Sequence, residues 1–157
     1  YYEQRALREM VQLKLINNLP YVLRVLGNIQ AKRGNSDLAM HYYQASSNIA
    51  FQENSLRNIA FANTAIARLY QKKGQIDSCI YYARKSLSES QKGSYRRGVL
   101  MASSLLASVY ETQDMNEAVR YYKLAAVAKD SLYGAEKLQA LQTISFEETE
   151  RQRNIFL

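Results

Sequence analysis

The chain repeats itself about every 40 residues. Four Tyr-Tyr pairs, Tyr1-Tyr2, Tyr42-Tyr43, Tyr81-Tyr82 and Tyr121-Tyr122, follow one another in steps of 41, 39 and 40. A second set keeps the period more closely: Leu26, Ile66 and Leu106, then the small residues Gly27, Ala67 and Ala107, then Gln30, Tyr70 and Tyr110. Gly34, Gly74 and Asp114 come next, followed by Asp37, Asp77 and Glu117. A fixed period of this size means stacked supersecondary units, none of which buries its apolar face alone. The order inside each unit gives its shape. An apolar-small pair suits close helix approach, and the Gly seven residues later suits a helix C-terminus and a tight turn. A small residue (Ala39, Cys79, Ala118) and the Tyr pair then open a second helix. The unit is a helix-turn-helix hairpin. The Tyr pairs are expected to fill the seam between helices.

Composition narrows the fold to helices and removes most chemistry. Among 157 residues, 6 Gly and 1 Pro are too few for the turns of an all-β protein. The single Cys excludes an internal disulfide framework, and one His with one Cys excludes the common zinc sites. The scattered glycines form neither a phosphate loop nor a dinucleotide motif. His41 has no triad around it, Cys79 takes a small-residue position of the core, and Glu147-Glu148 lie on a solvated tail. No catalytic residue, cofactor or metal is expected, and the chain does not read as an enzyme. No apolar run approaches the ~20 residues of a membrane span.

The pattern predicts helices over 20–33 and 36–53, 55–73 and 76–92, and 94–112 and 114–129, three hairpins in all. Residues 1–16 read as the second helix of a preceding hairpin, with a break at Asn17-Asn18-Leu19-Pro20. Asp130-Ser131 can cap a new helix over 131–157. In it Leu132, Ala135, Leu138, Leu141 and Ile144 recur every three residues. That stripe can pack on the last hairpin or on a partner helix, as in a homodimer. The division expected is a repeat array over 1–130 and a capping or linker helix over 131–157.

The order Leu26-Gly27, Gly34, Asp37, Ala39 and Tyr43 resembles the tetratricopeptide repeat. Ala67, Tyr70, Gly74, Asp77 and Cys79 repeat it, as do Ala107, Tyr110, Glu117, Ala118 and Tyr122. The resemblance covers roughly residues 1–128. It departs from that family in its longer period, in Leu23, Asn63 and Ser103 at the early aromatic position, and in Asp114 where a turn Gly would stand. It implies a right-handed all-α superhelix of three hairpins whose first helices line a concave groove. Lys129-Asp130-Ser131-Leu132-Tyr133, followed by a Glu/Gln/Arg/Lys helix, resembles the end of tetratricopeptide sensor regions in bacterial membrane-tethered signalling proteins. That likeness implies a histidine kinase or helix-turn-helix output module outside this chain. It also implies a membrane tether beyond Leu157, with a periplasmic or membrane-associated setting. A cytoplasmic, stand-alone scaffold that assembles partners is the alternative.

The charge of +7 is uneven: residues 1–128 carry 17 Lys and Arg against 9 Asp and Glu, and residues 129–157 carry 4 against 5. On the first helix of hairpin one, Arg24, Asn28 and Lys32 share a face at i, i+4 and i+8. Forty residues on stand Thr64, Arg68 and Lys72, and forty further Ser104, Ser108 and Thr112. Two hairpins would present a basic ladder and the third a hydroxyl ladder, fit to grip an acidic extended peptide or protein. The chaperone-tail clamp of tetratricopeptide proteins is not expected, because Ala65, Met101 and Leu105 replace three of its five polar positions. Nucleic acid is not expected either, since Arg96-Arg97 and Lys72-Lys73 sit at helix ends and the aromatics are tied to the seam. The reading is a non-catalytic interaction or sensory module.

Overall fold

The computed structural model describes Gln4, Arg5, Arg8 and residues 18–155. It is all-helical, with helices packed on helices. Their order is α1 (Leu19–Lys32), α2 (Ser36–Gln52), α3 (Leu56–Lys72), α4 (Ile76–Lys92), α5 (Arg96–Tyr110) and α6 (Met115–Ile155). The helix read for residues 1–16 lies, Gln4, Arg5 and Arg8 apart, outside the described residues, as do Phe156 and Leu157.

Four of the five turns are built alike. After α1, the Asn35 amide donates to the Gln30 carbonyl at 2.9 Å and the Gly34 amide to the Ala31 carbonyl at 3.2 Å. This is the paired 6→1 and 5→2 pattern that closes a helix around one left-handed residue. Gly34 (φ +83) and Gly74 (φ +72) supply that residue after α1 and α3. Asn54 (φ 52) and Ser94 (φ 56) supply it after α2 and α4. The fifth turn has Asp114 instead, and its Oδ1 accepts the amides of Asn116 at 2.9 Å and Glu117 at 3.3 Å. The turn is thereby closed from the side of the next helix, by an N-cap.

Each helix packs on its chain neighbours, and α3 also touches α1 and α5. One core gathers Ala39, Tyr43, Ile66 and Leu69 across α2 and α3. A larger one joins Ala67, Cys79, Ala83, Leu87, Leu105, Leu106 and Tyr121 across α3 to α6. The repeat predicted the small positions correctly. Ala39, Ala67, Cys79, Ala107 and Ala118 are fully buried, and a Cβ on Gly27 would stand 2.4 Å from the Tyr43 ring. Of the paired tyrosines, Tyr43 and Tyr121 are buried and Tyr82 half-buried in seams, whereas Tyr81 and Tyr122 are exposed; Tyr70 stacks on Tyr82 at 5.5 Å and Tyr110 on Tyr121 at 5.7 Å. Two buried serines add hydrogen bonds at the same register. Ser46 Oγ donates to the Pro20 carbonyl and Ser86 Oγ to the Ala60 carbonyl, at 2.6 and 2.7 Å.

The tail differs from expectation. No new helix begins at Asp130-Ser131, because α6 runs unbroken for 41 residues. Counting from Ala39, Cys79 and Ala118, Tyr133 falls where Asn54 and Ser94 turn the chain. A bulky residue is strained at positive φ, so the helix continues instead of folding back. Residues 133–149 are exposed. Glu136 within them pairs with Arg97 of α5 at 3.2 Å. No described helix is long and apolar enough to cross a membrane.

Candidate functional site

A cleft of about 370 Å³ opens between α1 and α3. Six of the nine residues picked from the sequence line it: Arg24, Asn28 and Lys32 from α1, and Thr64, Arg68 and Lys72 from α3. Periodicity of i, i+4 on each helix brings the side chains to one face, and contact between α1 and α3 brings the two faces together. The floor is apolar, made of Ala31, Ala65, Leu69 and Phe61, with Met101 reaching in from α5. Among the described residues, no acidic side chain lines the cleft.

Arg24 is the most constrained of the four cations. Its guanidinium lies 5.2 Å from the Tyr21 ring centroid and 5.3 Å from that of Phe61. Aromatic faces hold a cation through their quadrupoles and leave its edge N–H groups to donate. Burial lowers the Arg24 pKa, opposed by Tyr21 and Tyr43 and aided by Arg57. It remains charged at neutral pH. Tyr43 comes from α2, beneath Gly27, and its hydroxyl donates to Asn28 Oδ1 at 2.8 Å. That bond turns the Asn28 NH₂ outward as a donor. Burial raises the Tyr43 pKa, with Arg24 and Arg68 pulling against it. Among the described residues, none of the four cations has a carboxylate partner. The cleft therefore carries uncompensated positive charge over an apolar floor, with preset donors.

The other picked residues behave differently. Thr64 borders the cleft but is 1% exposed, and its hydroxyl lies 2.6 Å from Ser86 Oγ and 3.2 Å from the Ala60 carbonyl. It is held in the seam because α3 is packed against four helices. Ser104 and Ser108 are exposed on α5 and lie outside the cleft. Ser108 donates to the Leu105 carbonyl at 2.8 Å and accepts from Gln71 Nε2 at 3.3 Å. The sequence reading missed Tyr21, Phe61 and Tyr43. Tyr21 and Phe61 are 40 residues apart, with Met101 at the next step, so the period itself held the signal.

His41 is exposed, with its ring 6.4 Å from that of Tyr42. Cys79 is fully buried in the core, and burial raises its thiol pKa. Among the described residues no three His, Cys, Asp or Glu side chains gather where they could hold a metal ion. Comparison with protein-family models, curated proteins and solved structures finds no match.

Proposed function

We propose that this chain is a non-catalytic binding module, tetratricopeptide-like in architecture, that grips an acidic peptide segment in the cleft between α1 and α3. The architectural part is supported by the 40-residue register, the shared turn geometry and the contact of first helices with one another. The observation that carries the binding part is the cleft's charge: Arg24, Lys32, Arg68 and Lys72, with no carboxylate among the described residues that line it. Charge-assisted hydrogen bonds to carboxylates supply the attraction, and the floor of Phe61, Leu69 and Met101 takes an apolar side chain between them. The preferred segment alternates acidic and apolar residues in extended form. A signalling setting enters only through α6, whose exposed half is a rod able to carry a change away from the cleft.

The test is fluorescence anisotropy with a labelled peptide of alternating Glu and Leu, beside its Lys-Leu counterpart. The proposal expects saturable binding of the acidic peptide alone, weakened by salt. Equal binding of both peptides, or of neither, contradicts it.

A further inference from the structure

The outer face of α6 has an internal symmetry that starts at Leu124, half-buried against the core yet open to a surface cleft, and runs into the exposed half of the helix. Leu124, Val127, Ser131, Gly134, Leu138 and Leu141 follow at spacings of 3, 4, 3, 4 and 3. That spacing puts them in one seam of the kind two helices share. The stripe of every third residue read from the sequence is not a face, because three residues fall about 60° short of a full turn. In the seam, Val127 is 68% exposed, Leu138 58% and Leu141 54%. The corresponding positions of α2 and α4 are Ala45 with Asn48, and Lys85 with Ser88, so the apolar character belongs to the third hairpin alone.

The seam reads the same from both ends. Leu124 and Leu141, Val127 and Leu138, and Ser131 and Gly134 are equidistant from a point between Leu132 and Tyr133. We propose that two copies of this chain pair antiparallel through this seam, about a two-fold axis at that point. An isologous contact requires such self-complementarity. Leu124 of one copy then faces Leu141 of the other, and Val127 faces Leu138. The crossing falls on Ser131 and Gly134, flanked by the exposed Ala135 on one side and by Ala128, buried in its own body, on the other. Gly134 is a poor helix former in mid-helix, and a Cβ there would meet nothing within 4 Å among the described residues. Close approach of a second helix gives it a reason. Asp130 and Lys137, neither of them in an ion pair among the described residues, flank the seam on one side and meet with opposite charge across the axis.

The body accommodates this pairing. Beside Leu124 and Val127 lie two open clefts, of about 530 and 290 Å³, walled by Leu87, Gln91 and Val99. Antiparallel pairing lays the partner's Leu138 and Leu141 along them. It also sets each body beside the other copy's exposed half-helix, where residues 133–149 carry no covering element. The inference does not depend on the cleft between α1 and α3.

Analytical ultracentrifugation of the chain, with charge variants, tests it. The parent is expected at about twice the monomer mass. Leu138→Glu and Val127→Lys are each expected to be monomeric with unchanged helix content by circular dichroism, since both sites are exposed. Mixing the two should restore the dimer, because only antiparallel pairing sets position 127 against 138. In a Cys79→Ala background, Val127→Cys should cross-link to Leu138→Cys and neither to itself. A parent that stays monomeric, a dimer that survives Leu138→Glu, or self-cross-linking of Leu138→Cys as in a parallel pair each overturns the proposal.

Discussion

The junction of α1 with α3 and that of α3 with α5 are built from the same repeat, yet only the first is a basic cleft. At the first, Arg24 and Lys32 face Arg68 and Lys72 over Phe61. At the second, α5 and the turn after it present Ser104, Ser108 and Thr112 where α3 presents Thr64, Arg68 and Lys72, and Gln71 reaches across to Ser108 at 3.3 Å. The aromatic at the head of each first helix changes too, from Tyr21 and Phe61 to Met101. The backbone register is common, so the difference is a matter of side chains at matched positions. A stacked-helix frame sets where a groove lies, and a few residues per repeat decide what it can hold.

The largest expected effect sets the two junctions against each other. Arg24→Glu with Arg68→Glu should weaken acidic-peptide binding about 100-fold or more, roughly 2.7 kcal/mol. Ser104→Ala with Ser108→Ala should leave it unchanged. Titration calorimetry on both pairs would show it, and equal losses would erase the distinction.

Gly27→Ala should destabilise the fold by about 1–3 kcal/mol, because the added methyl meets the Tyr43 ring and forces repacking. Alanine already stands at the matched positions Ala67 and Ala107. Urea unfolding would check this, and a neutral result would mean that Tyr43 is free to swing aside.

Phe61→Leu should cost affinity by a few fold, the ~0.5–1 kcal/mol of an aromatic face that holds Arg24 in place. The matched change Met101→Leu should cost nothing measurable. Anisotropy with the acidic peptide distinguishes the two.

The smallest effect concerns pH. Burial raises the Tyr43 pKa above its ordinary value of about 10. Between the unfolded and folded values the native state holds the proton that the unfolded state has lost. Stability is therefore fully present below pH ~10 and falls as pH rises through the folded value. Tyr82 and Tyr122 are shifted the same way, so Tyr43→Phe should flatten the alkaline fall in part. Thermal melts from pH 9 to 11.5 would measure it, and an identical fall in the variant would remove Tyr43 from the account.

Much of this was legible in the sequence because the period fixes which residues meet. The apolar-small pairs, the turn glycines and the six cleft residues all follow from counting by 40 and by four. Three things did not follow. Thr64 shares a helical face with Arg68 and Lys72, but α3 is covered by helices at that end, and a sequence face does not say which half of it a neighbour buries. The end of α4 and the course of α6 turn on one slot, Ser94 against Tyr133, whose meaning appears only once positive φ is seen at Asn54 and Ser94. The seam of α6 was hidden under an every-third-residue pattern that a helix winds around its axis.

The most direct test of the cleft is amide chemical-shift mapping by NMR while an acidic Glu-Leu peptide is added. The account predicts shifts concentrated at Arg24, Asn28, Lys32, Phe61, Arg68 and Lys72, with residues 104–112 of the second junction unmoved. Shifts centred on α5, or spread evenly over the surface, would contradict it.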